Sequence, residues 1–83
     1  MRKFEIKFNT VDQVQYFINI IWGVESDTII RSKDRKYAVD AKSILGLYSL
    51  DLSKHLILEV NGEENSFVEK LLNSNIFVET IND

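Results

Sequence analysis

Hydrophobic and polar positions along the chain switch between a period of two and a period near 3.6 several times, the mark of a mixed α and β domain. Phe4, Ile6 and Phe8 alternate with Glu5 and Lys7, which predicts a half-buried strand. Thr10-Val11-Asp12-Gln13 follows, and this spacing fits a capping box: a threonine oxygen meets a backbone N–H and a glutamine reaches back. A helix is expected from there, with Val14, Phe17, Ile18 and Ile21 on one face and a stop near Gly23. Thr28 to Arg31 reads as a second strand, Lys33 to Lys36 as a turn and Tyr37 to Asp40 as a third strand, together a hairpin. Ser43 can cap a short helix running to about Leu50. On that helix Ile44 and Leu47 are expected to face the core, which turns Leu45 and Tyr48 outward.

Leu56, Leu58 and Val60 alternate with Ile57 and Glu59 as a fourth strand, and Asn61-Gly62 signals a turn. Glu63 and Glu64 favour the positive end of a last helix, whose buried stripe is Phe67, Val68, Leu71 and Leu72. The tail from Asn73 to Val78 is expected to extend that helix or to add an apolar contact. The order β-α-β-β-α-β-α has short connections. It predicts an α+β domain over residues 1–83: a four-stranded, largely antiparallel sheet with three helices on one face and the other face partly wet. Ferredoxin-like domains share much of this order.

Composition narrows the class. At 83 residues there is room for one domain with a modest core, and 45% hydrophobic with 28% charged residues describes a folded domain rather than a disordered tail. No apolar run approaches the ~20 residues of a membrane helix. The first residues alternate and carry charge, so they read as strand rather than as a secretory leader. Cysteine is absent, which removes disulfides and thiolate metal sites, and makes cytoplasmic residence the expectation. The single histidine, His55, rules out a multi-histidine metal site, and no cofactor is expected. The net charge of −3 argues against nucleic acid as a partner. Basic residues cluster only at Arg31, Lys33, Arg35 and Lys36, which reads as a solvated turn.

The run from Val39 through Leu50 contains Lys42, Ser43, Ile44, Gly46, Ser49 and Leu50. It resembles the central segment of HPr, the histidine-containing phosphocarrier of the bacterial sugar phosphotransferase system. That family's run is valine-asparagine-(alanine or leucine)-lysine-serine-isoleucine-methionine-glycine, closing with serine-leucine. Asn61-Gly62-Glu63-Glu64 looks like the opening of that family's last helix. The resemblance implies an HPr-like open-faced β-sandwich. It also implies phosphoryl transfer at a histidine in a Gly-(Ile/Leu)-His-Ala-Arg-Pro-Ala segment opening the first helix. Here the matching region is Thr10 to Tyr16. Counting back from the serine motif puts Asp12 at the histidine's place; counting forward from the first strand puts Gln13 there. Neither count supplies the histidine, the arginine or the proline.

Gln13 is an amide and no phosphoryl nucleophile. Asp12 could in principle form an acyl phosphate, chemistry that normally needs a metal with other carboxylates nearby, and its ordinary role is a helix-start acid. His55, near the start of the fourth strand, reads as an exposed strand-end histidine. A glutamine in the histidine's place resembles the catabolite-repression HPr proteins. There a dedicated HPr kinase/phosphorylase modifies the motif serine and the product binds a transcriptional regulator, so Ser43 is the expected regulatory residue.

Tyr16 and Ile20 extend the apolar arc of the first helix. With Leu45 and Tyr48 they are candidate partner-surface residues, and Trp22 widens the other side. Tyr37 reads as a cross-strand packing residue. The expectation is a non-enzymatic regulatory or protein-binding module. The alternatives are an interaction or dimerisation domain with no phosphotransferase link, a carrier using Asp12 or another residue, and a nucleic-acid-binding domain on a ferredoxin-like sheet.

Overall fold

The first strand forms as β1 (Arg2–Ile6) in the computed structural model of the chain, which describes residues 1–82. Its alternation is used as expected: Phe4 and Ile6 are buried in the core, and Glu5 lies on the opposite face. The helix α1 (Val11–Ile21) begins at the capping residues. The Gln13 N–H donates to Thr10 Oγ1 at 3.1 Å, and Gln13 Oε1 accepts from the Asn9 N–H at 2.6 Å. The glutamine therefore reaches one residue further back than in the standard box, tying the loop after β1 to the helix start. Val14, Phe17 and Ile21 are the buried stripe, and Phe17 meets Phe8 edge-on with ring centroids 5.4 Å apart. Each such buried side chain contributes about 1.5–3 kcal/mol relative to exposure.

The hairpin consists of β2 (Thr28–Ser32) and β3 (Ala38–Asp40), paired in register Ile30 to Val39. Its turn is organised by Asp34, which accepts from Ser32 Oγ at 2.6 Å and from the Lys36 N–H at 3.0 Å, while Arg35 adopts a left-handed φ of 65°. The remaining elements are α2 (Ile44–Ser49), β4 (Leu56–Val60), α3 (Asn65–Leu72) and β5 (Phe77–Ile81). The sheet order is β3-β2-β4-β1-β5, and every neighbouring pair is antiparallel.

The sheet thus has five strands where the pattern predicts four. Asn73 and Ser74 stop α3, the Ser74 hydroxyl donating to the Leu71 carbonyl at 2.7 Å. Ile76 then enters the core, and the five residues after it run back along β1. The tail supplies the apolar contact and does not extend the helix. Phe, Val, Thr and Ile in this stretch favour a strand. The alternation is weak, however, because an edge strand is half-solvated: Val78, Glu79 and Thr80 are all exposed. A register shift in the β1–β5 pairing at Glu5/Ile6 blurs the period further.

One face of the sheet carries Phe4, Ile6, Ile30, Leu56, Leu58 and Val60, and the stripes of the three helices join it in a single core. Two expected core residues lie outside that core. Ile44 is exposed because α2 has less than two turns and buries only Leu47; Leu72 is exposed at the last residue of α3.

A corner of the fold is interlocked through Ser26. Its N–H and hydroxyl both donate to Glu64 Oε2, at 3.0 and 2.6 Å, and its carbonyl accepts from Lys42 Nζ at 2.8 Å. Glu64 is the N-cap residue of α3, with φ 42°, and makes no side-chain cap to its own helix. Its carboxylate serves the neighbouring loop instead of the helix end that the sequence pattern suggests. A Cβ at Gly62 would stand 2.2 Å from Ser26 Oγ, so a larger residue there would force Ser26 to shift.

Candidate functional site

The start of α1 is where a phosphocarrier histidine is expected by resemblance. Asp12 is exposed there, and Gln13 is half-buried with its side-chain oxygen committed to the Asn9 N–H. Together with Tyr16 they line a shallow groove of about 310 Å³, closed on its other side by the loop from Asn73 to Ile76. His55 lies elsewhere, just before β4.

Ser43 stands immediately before α2, exposed, in extended backbone (φ −89°, ψ 112°). Its Oγ accepts from the Gly46 N–H at 3.1 Å, and its carbonyl accepts from the Leu47 N–H at 2.8 Å. The capping role expected of it is therefore filled. The helix it opens presents apolar side chains to solvent. Leu45 is 87% exposed and Tyr48 50%, with Ile44 beside them. On α1, Tyr16 is exposed, whereas Ile20 is half-buried and packs against the core. Ile20 is accordingly a core-edge residue, and the solvent-facing candidates are Tyr16, Leu45 and Tyr48. Trp22, which ends α1, and Tyr37, at the end of the hairpin turn, are also exposed.

The pattern of residues alone missed a second arrangement. Glu5 sits mid-strand on β1, on the sheet face away from the helices, yet only 5% of it is exposed. Its two oxygens are divided between two elements: Oε2 meets His55 Nδ1 at 2.5 Å, and Oε1 meets Lys33 Nζ at 3.2 Å. The His55 contact is the main influence holding the Glu5 carboxyl below the usual carboxylate range; Lys33 adds to it, and burial opposes both. One strand further on, Arg31 Nε donates to Glu59 Oε2 at 2.6 Å, so the other buried acid on this face is also paired. His55 is exposed, as expected of a strand-end histidine, and Glu5 holds it there. The available signal was slight: Glu5 at an outward position of a strand, with Lys3 and Lys7 nearer in sequence than the His55 and Lys33 that it pairs with.

Among the described residues, no group of three His, Cys, Asp or Glu side chains could hold a metal ion, and no helix is long and apolar enough to cross a membrane. Compared with known proteins, the chain matches no family model, no curated protein and no solved structure.

Proposed function

We propose that this chain is an HPr-like protein of the phosphotransferase system that lacks histidine phosphocarrier activity and acts as a regulatory or protein-binding module, with Ser43 as its phosphorylation residue. The observation that carries the reading is the exposed Ser43 at the start of α2 beside the exposed Leu45 and Tyr48. A modifying enzyme can reach this hydroxyl, and a reader of the modified serine would find apolar side chains within two helical turns of it. The order of elements from β1 to α3 agrees with the resemblance stated for the central motif. At the start of α1, Gln13 spends its side-chain oxygen on the Asn9 N–H, and no metal-holding group of carboxylates among the described residues stands by to assist Asp12, which favours a non-carrier reading. The partners proposed are an HPr kinase/phosphorylase and a transcriptional regulator that binds the phosphorylated form.

The test is intact mass after incubation with ATP, Mg²⁺ and an HPr kinase/phosphorylase active on ordinary HPr, alongside the Ser43→Ala variant. A phosphate gain in the parent chain that is lost in the variant supports the proposal. No gain in either chain overturns it and leaves an interaction domain without a phosphotransferase link.

A further inference from the structure

Asn61 is the one asparagine of seven that precedes a glycine. It lies exposed in the bend between β4 and α3, and its side-chain amide makes no hydrogen bond among the described residues. Asn9 and Asn65, by contrast, accept from Lys7 Nζ at 3.3 Å and Arg2 Nη1 at 3.2 Å. The residues after the other six asparagines are threonine, isoleucine, serine or aspartate, each with a Cβ beside its backbone nitrogen. Gly62 has none, and its N–H donates to no acceptor among the described residues. A free amide side chain thus stands next to an unshielded backbone nitrogen, the pairing that an intramolecular cyclisation requires.

The same segment is fastened at both ends to one loop. The Asn61 N–H donates to the Asp27 carbonyl at 2.9 Å, and Glu64 Oε2 accepts from the Ser26 N–H and hydroxyl at 3.0 and 2.6 Å. Between these two clamps there is no slack, because a Cβ at Gly62 would already collide with Ser26 Oγ. Glu64 holds a left-handed φ of 42° to make its contact.

We propose that Asn61 is a site of spontaneous deamidation in the folded chain, and that the isoaspartate formed there releases the grip of Glu64 on Ser26. The Gly62 nitrogen gives its proton to solvent base and attacks the Asn61 side-chain carbonyl carbon. The bond from that carbon to the side-chain nitrogen breaks, ammonia leaves and a succinimide closes. Water then opens either carbonyl, giving aspartate or isoaspartate. Isoaspartate carries the backbone through its own side-chain methylene, which adds one atom to the chain path between the two clamps. Both products also add a negative charge beside Glu63 and Glu64. This chemistry is independent of Ser43, and its failure would leave that reading untouched.

The test is incubation of the folded chain in mildly alkaline buffer, followed by peptide mapping for replacement of NH by O and by methyl uptake with an isoaspartate-specific methyltransferase. Asn61 should convert about tenfold faster than any other asparagine, and within about tenfold of its rate in the guanidinium-unfolded chain. The products should include isoaspartate, and Asn61→Gln should abolish the methyl uptake. Faster conversion elsewhere, aspartate alone, or a larger protection by folding overturns the site. For the consequence, the isoaspartate form is isolated and its ¹⁵N spectrum compared with that of Asn61→Asp, which adds the charge without lengthening the backbone. Displaced Ser26 and Glu64 amides in the isoaspartate form alone support the release. Undisturbed Ser26 and Glu64 amides in that form, or equal displacement in Asn61→Asp, overturn it.

Discussion

The Glu5 carboxylate and the His55 imidazole, 50 positions apart in the chain, meet at 2.5 Å and join β1 to the residue that leads into β4. Lys33 reaches the same carboxylate from the hairpin turn, so one buried acid ties three parts of the open sheet face together.

That arrangement makes stability depend on pH in a defined direction. The carboxyl titrates below its ordinary range in the folded state, chiefly because of His55. A carboxylate with a depressed folded value contributes stability that is present above its unfolded value, near pH 4.3, and is lost as pH falls through the folded value. Glu5→Gln should therefore cost about 1–2 kcal/mol at neutral pH, the scale of a charge-assisted hydrogen bond. The gap between variant and parent should narrow steadily below about pH 4. Urea unfolding at pH 7 and pH 3.5 measures both; a gap that does not change with pH would remove Glu5 from this role.

The start of α1 offers a sharper local test. Thr10→Ala removes the acceptor for the Gln13 N–H and should cost about 1 kcal/mol. Gln13→Ala should cost a similar or smaller amount, because it frees the Asn9 N–H to water at an exposed position. The two losses should not add, since both residues hold the same loop. Thermal or urea denaturation of the two single variants and the double variant checks this.

At the corner of the fold, Gly62→Ala places a methyl 2.2 Å from Ser26 Oγ, and the serine that must give way is the one holding Glu64. A loss of about 1–3 kcal/mol is expected from the overpacking. Ser26→Ala should soften the clash while sacrificing the hydrogen bond, so the double variant should be more stable than the sum of the single effects predicts. A double-mutant cycle by urea unfolding reads this coupling directly. Strict additivity would show that the two turns do not depend on each other.

The fifth strand protects β1. Phe77 packs edge-on to Phe4 with centroids 6.5 Å apart, and β5 covers the flank of β1 opposite β4. Phe77→Ala should cost about 1–2 kcal/mol for a half-buried ring. Removing residues 77–83 should leave β1 as an unpaired edge and produce concentration-dependent association. Sedimentation of the truncated chain at several concentrations, against the parent under the same conditions, tests the second expectation.

The sequence by itself determined the elements whose signals are local. The period of two at Phe4 to Phe8 and at Leu56 to Val60, the period near 3.6 from Val14 to Ile21, and the caps Thr10 and Ser43 each depend on contacts within a few residues. For that reason β1, α1, β2, α2 and β4 stand within a residue or two of their expected places. Tertiary structure decided what depends on distant neighbours. Residues 77 to 81 become a strand because β1, at the other end of the chain, presents an edge to pair with. Ile44 is exposed because α2 has only one side available to the core, and Ile20 is drawn partly inward by its neighbours. The pairing of Glu5 with His55 and Lys33 was not legible at all. The attraction that makes it arises only when β1, the hairpin turn and the residue leading into β4 are brought together by the sheet.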